Sequence, residues 1–124
     1  MKIDLVKTRE YYNLLCSDRL CDCDYCKLYY LKARKEFPEL AAWLEKYGVD
    51  IEKPFEVMSI DPAENGIIEY IGMQYIVYGT CSKDISFKAG NFDIRAAHSH
   101  PSTGISEEHF VIEVLPMNLV RLSF

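Results

Sequence analysis

Apolar residues in the first fifty positions recur at the spacing of an α-helix. Thr8 is a suitable N-cap for a short helix that runs to about Leu15, and Asp24 is a suitable N-cap for a second helix that runs towards Phe37. Pro38 ends the second helix, because a proline ring does not fit inside a helix and the residue before it avoids the helical conformation. Proline is also favoured at the first position of a helix, so the pattern predicts a third helix there.

The third predicted helix has the clearest amphipathic pattern in the chain. Its apolar residues fall at positions i, i+3, i+4 and i+7, namely Leu40, Trp43, Leu44 and Tyr47. Gly48 follows, where glycine commonly ends a helix. We expect this apolar face to be buried against the apolar face of two later strands, which carries Ile85, Phe87, Phe92 and Ile94.

From Pro54 onward apolar and polar residues alternate, which is typical of half-buried β-strands. Gly72 predicts a bulge or bend within one long strand. The connections are too short for the crossovers that parallel strands need, so we expect antiparallel pairing. The predicted strands cover residues 55–60, 67–79, 84–87, 92–100, 109–115 and 117–124.

Helices followed by strands indicate an α+β fold. We predict two or three N-terminal helices packed on a C-terminal antiparallel sheet or half-open barrel of five or six strands. The chain of 124 residues has the usual length of a single domain, which we divide into a helical segment, 1–50, and a β segment, 51–124.

Charge and composition exclude several classes of partner. The chain is acidic, with a net charge of −5, and no stripe of lysine and arginine marks a surface for nucleic acid. Its apolar runs are far shorter than the roughly 18 residues that a membrane span needs. The first ten residues lack the apolar core of a signal peptide. We therefore expect a cytoplasmic protein with no nucleic-acid or membrane partner, in which clustered cysteines are thiols or metal ligands rather than structural disulfides.

Four of the five cysteines fall within eleven residues, in the pattern C-x4-C-x-C-x2-C formed by Cys16, Cys21, Cys23 and Cys26. Short cysteine spacings suit tetrahedral zinc, and the start of a helix stabilises thiolates. Three interpretations stay open: a structural zinc site, a redox pair or labile disulfide of Cys23 and Cys26, and incidental thiols. The fifth cysteine, Cys81, is expected to be a lone thiol.

The segment "HSHP" at residues 98–101 is a second, weaker candidate metal site. His98 and His100 lie two residues apart on a predicted strand, so their side chains point to the same side. The tetrapeptide resembles the centre of the JAMM-type metalloprotease motif. That resemblance implies a zinc hydrolase in which both histidines are ligands and an upstream glutamate is the general base.

The residues after this tetrapeptide depart from the JAMM pattern. Ser106 comes too soon after Pro101, and His109 stands where the family has its aspartate ligand. No clear counterpart of the catalytic glutamate emerges among Glu56, Glu64 and Glu69. A hybrid site is a further alternative, in which the last three cysteines of the cluster join one histidine in a Cys3His set.

Three tyrosines lie beside the cysteines, and we expect Tyr25, Tyr29 and Tyr30 to form an exposed aromatic patch. Such a patch suits contact with a protein partner or a second copy of the chain. The favoured prediction is a small non-catalytic binding module with a candidate structural zinc and no other cofactor. The alternatives are a JAMM-like hydrolase and a thiol redox protein.

Overall fold

The computed structural model describes residues 1–16, 20–60, 67–118 and 120–123. Within these residues, three helices and a curled, seven-stranded antiparallel sheet form an α+β half-barrel, which confirms the predicted fold class. The helices are α1 (Leu5–Leu14), α2 (Asp24–Glu36) and α3 (Pro38–Lys46). The strands are β1 (Lys2–Ile3), β2 (Glu56–Ile60), β3 (Ile68–Thr80), β4 (Ser86–Ala89), β5 (Phe92–Ala96), β6 (His109–Pro116) and β7 (Val120–Leu122).

The long strand β3 is the centre of the sheet. It pairs with β6 and β7 along one edge and with β2 and β1 along the other, and β5 and β4 extend the sheet beyond β6. Met58 on β2 lies opposite Gly72, but the next residue, Ser59, lies opposite Tyr70, so Ile71 has no partner on β2. This shift is a β-bulge beside Gly72, as predicted.

The helices cover one face of the sheet. Leu40 and Leu44 of α3 are fully buried, as predicted, and so is Ile94 on β5. Trp43 and Tyr47, which the same pattern predicted to be buried, are only partly buried. Trp43 packs against Phe87 and Tyr47, with ring centroids 5.7 and 4.6 Å apart. Phe87 lies on the edge strand β4, where the sheet no longer shields a large ring from water.

The first helix begins earlier than the sequence predicted. Asp4 is its N-cap, and its carboxylate accepts a hydrogen bond of 3.0 Å from the backbone N–H of Lys7. Thr8, the predicted cap, is instead fully buried inside the helix. Its hydroxyl donates to the backbone oxygen of Asp4 at 2.8 Å and accepts from the backbone N–H of Tyr78 at 3.2 Å. Thr8 therefore joins α1 to β3.

Several strand boundaries differ from the prediction. β5 ends at Ala96, so His98 and His100 lie beyond the strand rather than on it. β4 begins at Ser86, which leaves Ile85 before the strand. Strand β1, only two residues long, was missed. Residues 61–66, between the first two predicted strands, and two residues of the predicted last strand, Leu119 and Phe124, lie outside the described residues. Among the residues described, no helix has both the length and the apolar character to cross a bilayer.

Candidate metal centre

The start of α2 is organised by a cysteine. Cys23 is the N-cap, and its sulfur accepts a hydrogen bond of 3.4 Å from the backbone N–H of Cys26. The prediction that Asp24 caps this helix is wrong by one residue, because Asp24 lies in the first turn. A side chain at the N-cap accepts from the unpaired N–H groups of that turn, and here a sulfur takes the place of the usual oxygen.

Three cysteine sulfurs meet at this helix start. The Sγ atoms of Cys21, Cys23 and Cys26 all lie within 4.8 Å of one another. Around a tetrahedral zinc ion with Zn–S bonds of about 2.3 Å, sulfurs are roughly 3.8 Å apart. A small inward movement of the side chains would therefore suit a metal ion. We call these three residues the cysteine cluster, and they can hold a metal.

The other two cysteines do not belong to the cysteine cluster. The exposed thiol of Cys16 donates to the backbone oxygen of Leu14 at 3.7 Å, and its sulfur is outside the group of three. Cys81 follows directly after β3 and is partly exposed. All five cysteines are free thiols, so no disulfide competes for the cluster.

The cluster thiols differ in acidity. The backbone N–H of Cys26 stabilises a thiolate on Cys23 and lowers the pKa of the Cys23 thiol, although partial burial opposes the shift. Burial, together with hydrogen bonds to Cys23 and Cys21, raises the pKa of the Cys26 thiol. Of these two residues, Cys23 is therefore the one that ionises first.

The cysteine cluster forms part of the wall of an open groove of about 660 Å³, which we call the cysteine groove. The end of α1, the chain entering β2 and a stretch of the β5–β6 connection complete its lining. Apart from the three cysteines, the lining residues are Tyr11, Leu15, Leu20, Tyr30, Pro54, Phe55, Glu56, Val57, Ser59, Thr103, Gly104 and Ile105. The lining is mainly apolar and aromatic, and its one carboxylate belongs to Glu56.

The connection between β5 and β6 is held to the sheet at several points. The backbone N–H of Ala97 donates to the oxygen of Val111 at 2.9 Å, and the side chain of Gln74 donates to the oxygen of Ser99 at 3.0 Å. Gln74 is almost completely buried in the middle of β3. A buried polar side chain needs a hydrogen-bond partner. A glutamine in the middle of an apolar strand was therefore a sequence signal for a contact with an irregular segment, and we missed that signal.

Both candidate histidines are exposed on this connection. The ring of His100 packs edge-on against Phe55, with centroids 6.4 Å apart, and its Nδ1–H donates to the oxygen of Pro101 at 2.8 Å. Across the described part of the chain, the cysteine cluster is the one group of three or more metal-ligating side chains, and neither His98 nor His100 belongs to it.

The glutamates considered for a JAMM-type site are dispersed. Glu69 pairs with Arg121 at 3.2 Å, and Glu56 lines the cysteine groove. Glu64 lies outside the described residues. His109, at the position of the family's aspartate ligand, uses both ring nitrogens in hydrogen bonds of 2.7 Å, with Thr103 and with the oxygen of Glu107.

The predicted aromatic patch is wrong for Tyr29, which is fully buried. Its hydroxyl lies 2.5 Å from that of Tyr75, because the face of α2 that carries Tyr29 packs directly on β3. Tyr25 and Tyr30 are partly buried. The hydroxyl of Tyr30 donates to the backbone oxygen of Cys21 at 3.0 Å, so Tyr30 positions the cysteine cluster, a role that the sequence did not reveal.

Comparisons of the chain with models of protein families, with curated proteins and with solved structures gave no match. The candidate metal centre is therefore supported by the geometry of its own residues alone.

Proposed function

We propose that this chain is a small non-catalytic binding module in which the cysteine cluster holds a structural zinc ion. The observation that supports it best is the convergence of the three sulfurs within 4.8 Å at the start of α2. The cysteine groove beside them is the candidate binding surface, since its apolar and aromatic lining suits a protein or small-molecule partner.

The donor set favours zinc over the hard cations. Calcium and magnesium take oxygen ligands, whereas thiolates bind zinc, copper(I) and iron–sulfur clusters. Structural zinc sites use three or four cysteines at short spacings, as here. The spacing C-x4-C-x-C-x2-C differs from the plant-type iron–sulfur pattern, since Asp24 stands where that pattern has its next cysteine.

A zinc ion at this position would stabilise the connection between the first two helices. The cluster spans the residues just before α2 and its first turn, and Tyr30 already holds that segment through the oxygen of Cys21. Binding of the metal to the folded chain alone adds to the stability of that fold. The zinc would thus fix one wall of the cysteine groove.

The hydrolase alternative has less support. In the described residues, His98 and His100 do not converge with a third ligand, and a zinc hydrolase needs three protein ligands and a general base. The binding module is therefore the interpretation that the arrangement of side chains favours.

Elemental analysis of protein purified without added metal tests the zinc site. We expect about one zinc per chain in the wild type and in Cys81→Ser, and a loss of most of the zinc in Cys23→Ser. Cys81 is the matched control, because it is a free thiol outside the cluster. Equal zinc content in the two variants, or no zinc in the wild type, would contradict the proposal.

A second candidate function, thiol redox chemistry, is favoured by the contrast between Cys23 and Cys26. Cys23 is exposed at the helix start, and its partner Cys26, three residues further along the chain, is buried. Dithiol redox pairs have one accessible thiol and one protected thiol in a C-x-x-C motif. A reversible disulfide between them, formed in glutathione buffer in the presence of zinc, would favour redox chemistry over a structural site.

A further inference from the structure

We infer that His100 is the fourth ligand of the zinc, which completes a Cys3His site with the cysteine cluster. This inference rests on the proposed zinc site. Three thiolates leave one position of a tetrahedral ion open, and a structural site needs a fourth protein ligand to close it. Cys3His is one of the usual closed sets.

The ring of His100 packs against one residue that lines the cysteine groove, Phe55. The rings of Phe55 and His100 make an edge-on contact, with centroids 6.4 Å apart. Three residues after His100, Thr103 lines the same groove. The chain between these points is exposed and has no regular secondary structure. The imidazole lies outside the compact group of three sulfurs, so coordination requires residues 100–102 to move towards α2.

The hydrogen bond made by the ring prepares His100 to be a ligand. A carbonyl oxygen only accepts, so the bond of 2.8 Å to Pro101 shows that Nδ1 carries the proton. In the neutral ring Nε2 then has a free lone pair. Metal-binding histidines almost always donate the other ring N–H to a carbonyl, a carboxylate or a water, which fixes the ring's orientation. Pro101 already provides that partner.

The other donors near the groove fit less well. Both ring nitrogens of His109 are engaged in hydrogen bonds. His98 directly precedes Ser99, whose backbone oxygen is held to the sheet by Gln74. Cys16 is outside the cysteine cluster. The carboxylate of Glu56 lines the groove and is the strongest rival.

A Cys3His site would connect distant parts of the chain. The cysteines precede and begin α2, whereas His100 follows β5. The zinc would then hold the β5–β6 connection against the helices and close the cysteine groove along one side. Loading of the metal would thereby control access to the candidate binding surface.

Cobalt(II) titration of the full chain tests the inference, because the visible bands of tetrahedral cobalt and the sulfur-to-cobalt charge-transfer band report the ligand set. We expect the wild type to bind one cobalt, which zinc displaces, with a tetrahedral spectrum. His100→Ala should weaken binding by at least about 100-fold, more than the 10–100-fold typical of losing a residue that only orients a ligand. His100→Cys should restore tight binding and strengthen the charge-transfer band.

Three variants serve as controls: His98→Ala, Glu56→Gln and Cys16→Ser should each bind cobalt as the wild type does. His100 is exposed, so circular dichroism should show that His100→Ala is folded. An unchanged affinity and spectrum in His100→Ala would overturn the inference alone, and an altered spectrum in Glu56→Gln or Cys16→Ser would assign the fourth position to that residue. A wild type that binds no cobalt or zinc would overturn the proposed zinc site as well.

Discussion

A short chain of hydroxyl groups joins α2, β3 and the segment before β2 inside the core. The hydroxyl of Tyr75 donates its one proton to the oxygen of Ile51 at 2.8 Å. Tyr29 must therefore be the donor in the 2.5 Å contact between Tyr29 and Tyr75. Burial raises the pKa of both tyrosines, so both hydroxyls stay protonated and the direction of the chain is fixed.

This direction predicts unequal effects of removing either hydroxyl. Tyr75→Phe leaves the O–H of Tyr29 without an acceptor and the oxygen of Ile51 without a donor, which should destabilise the fold by about 1–3 kcal/mol. Tyr29→Phe leaves the bond from Tyr75 to Ile51 intact and should cost less than about 1 kcal/mol. Urea denaturation of both variants measures the difference, and a larger loss in Tyr29→Phe would show the assigned direction to be wrong.

The two cysteines at the start of α2, Cys23 and Cys26, are predicted to react at different rates. In the protein stripped of metal, iodoacetamide at neutral pH should alkylate Cys23 before Cys26. Cys23 is exposed and its pKa is lowered by the backbone N–H of Cys26, whereas Cys26 is buried and its pKa is raised. Peptide mapping by mass spectrometry follows both sites over time. Equal rates of alkylation at the two sites would mean that the helix start does not make the two thiols differ in reactivity.

Among the secondary-structure elements, the predictions succeeded where the apolar pattern was long. The spacing of Leu40 and Leu44 identified the buried face of α3, and Gly72 identified the bulge in β3. The pattern was less informative on α2, where Leu31 is 77% exposed although Leu28, three residues earlier on the helix, is fully buried. An apolar residue on a helix faces the sheet only if the helix docks that way, and the docking depends on the whole fold.

Strand β1 could not be predicted, because two residues carry no periodicity. Its position depends on Gly79, which lies opposite Ile3 and has φ +130°. A Cβ atom at Gly79 would lie only 2.0 Å from the backbone oxygen of Lys2. The glycine thus permits the close approach of β1 to β3, and no pattern in residues 1–4 could show it.

Substitution of this glycine should detach β1. We expect Gly79→Ala to destabilise the fold by about 1–3 kcal/mol and to expose the backbone N–H of Asp4, which donates to the oxygen of Tyr78 at 2.9 Å. Gly104→Ala is the control, since Gly104 also has a positive φ, +69°, but has open space where a Cβ would lie. Hydrogen exchange at the backbone N–H of Asp4 measures whether β1 has detached. Equal protection of this N–H in the two variants would show that a Cβ atom at position 79 does not clash with Lys2.

For the molecule as a whole, the sequence identified the cysteine cluster but not its surroundings. The spacing of Cys21, Cys23 and Cys26 is local, so their convergence at a helix start followed from sequence. The exclusion of Cys16 and the approach of the β5–β6 connection to the groove depend on tertiary contacts. Such contacts join residues that are far apart in the chain, so they leave no periodic pattern that can be recognised in a single sequence.

The proposed zinc site predicts a pH dependence for the stability of the whole fold. Zinc must displace the protons of three thiols, and the raised pKa of Cys26 means that this thiol still holds its proton near neutral pH. The apparent affinity for zinc should therefore rise from about pH 6 to about pH 8. At free zinc 100-fold above the dissociation constant, zinc should stabilise the fold by about 2.7 kcal/mol. Thermal unfolding with zinc or chelator across this pH range measures both effects, and a stability gain independent of pH would argue against thiolate ligands.

The central position of β3 determines when this protein can fold during its synthesis. The helices and β2 leave the ribosome before residues 68–80, so the nascent chain has no sheet on which to pack them until β3 is complete. β1 cannot pair until almost eighty further residues have been translated, since Lys2 pairs with Thr80. β6 and β7 occupy the other edge of β3 and are translated after it. The edge of β3 that pairs with β6 and β7 thus stays unpaired until those strands have been translated, and an unpaired strand edge is exposed to misassembly during that interval.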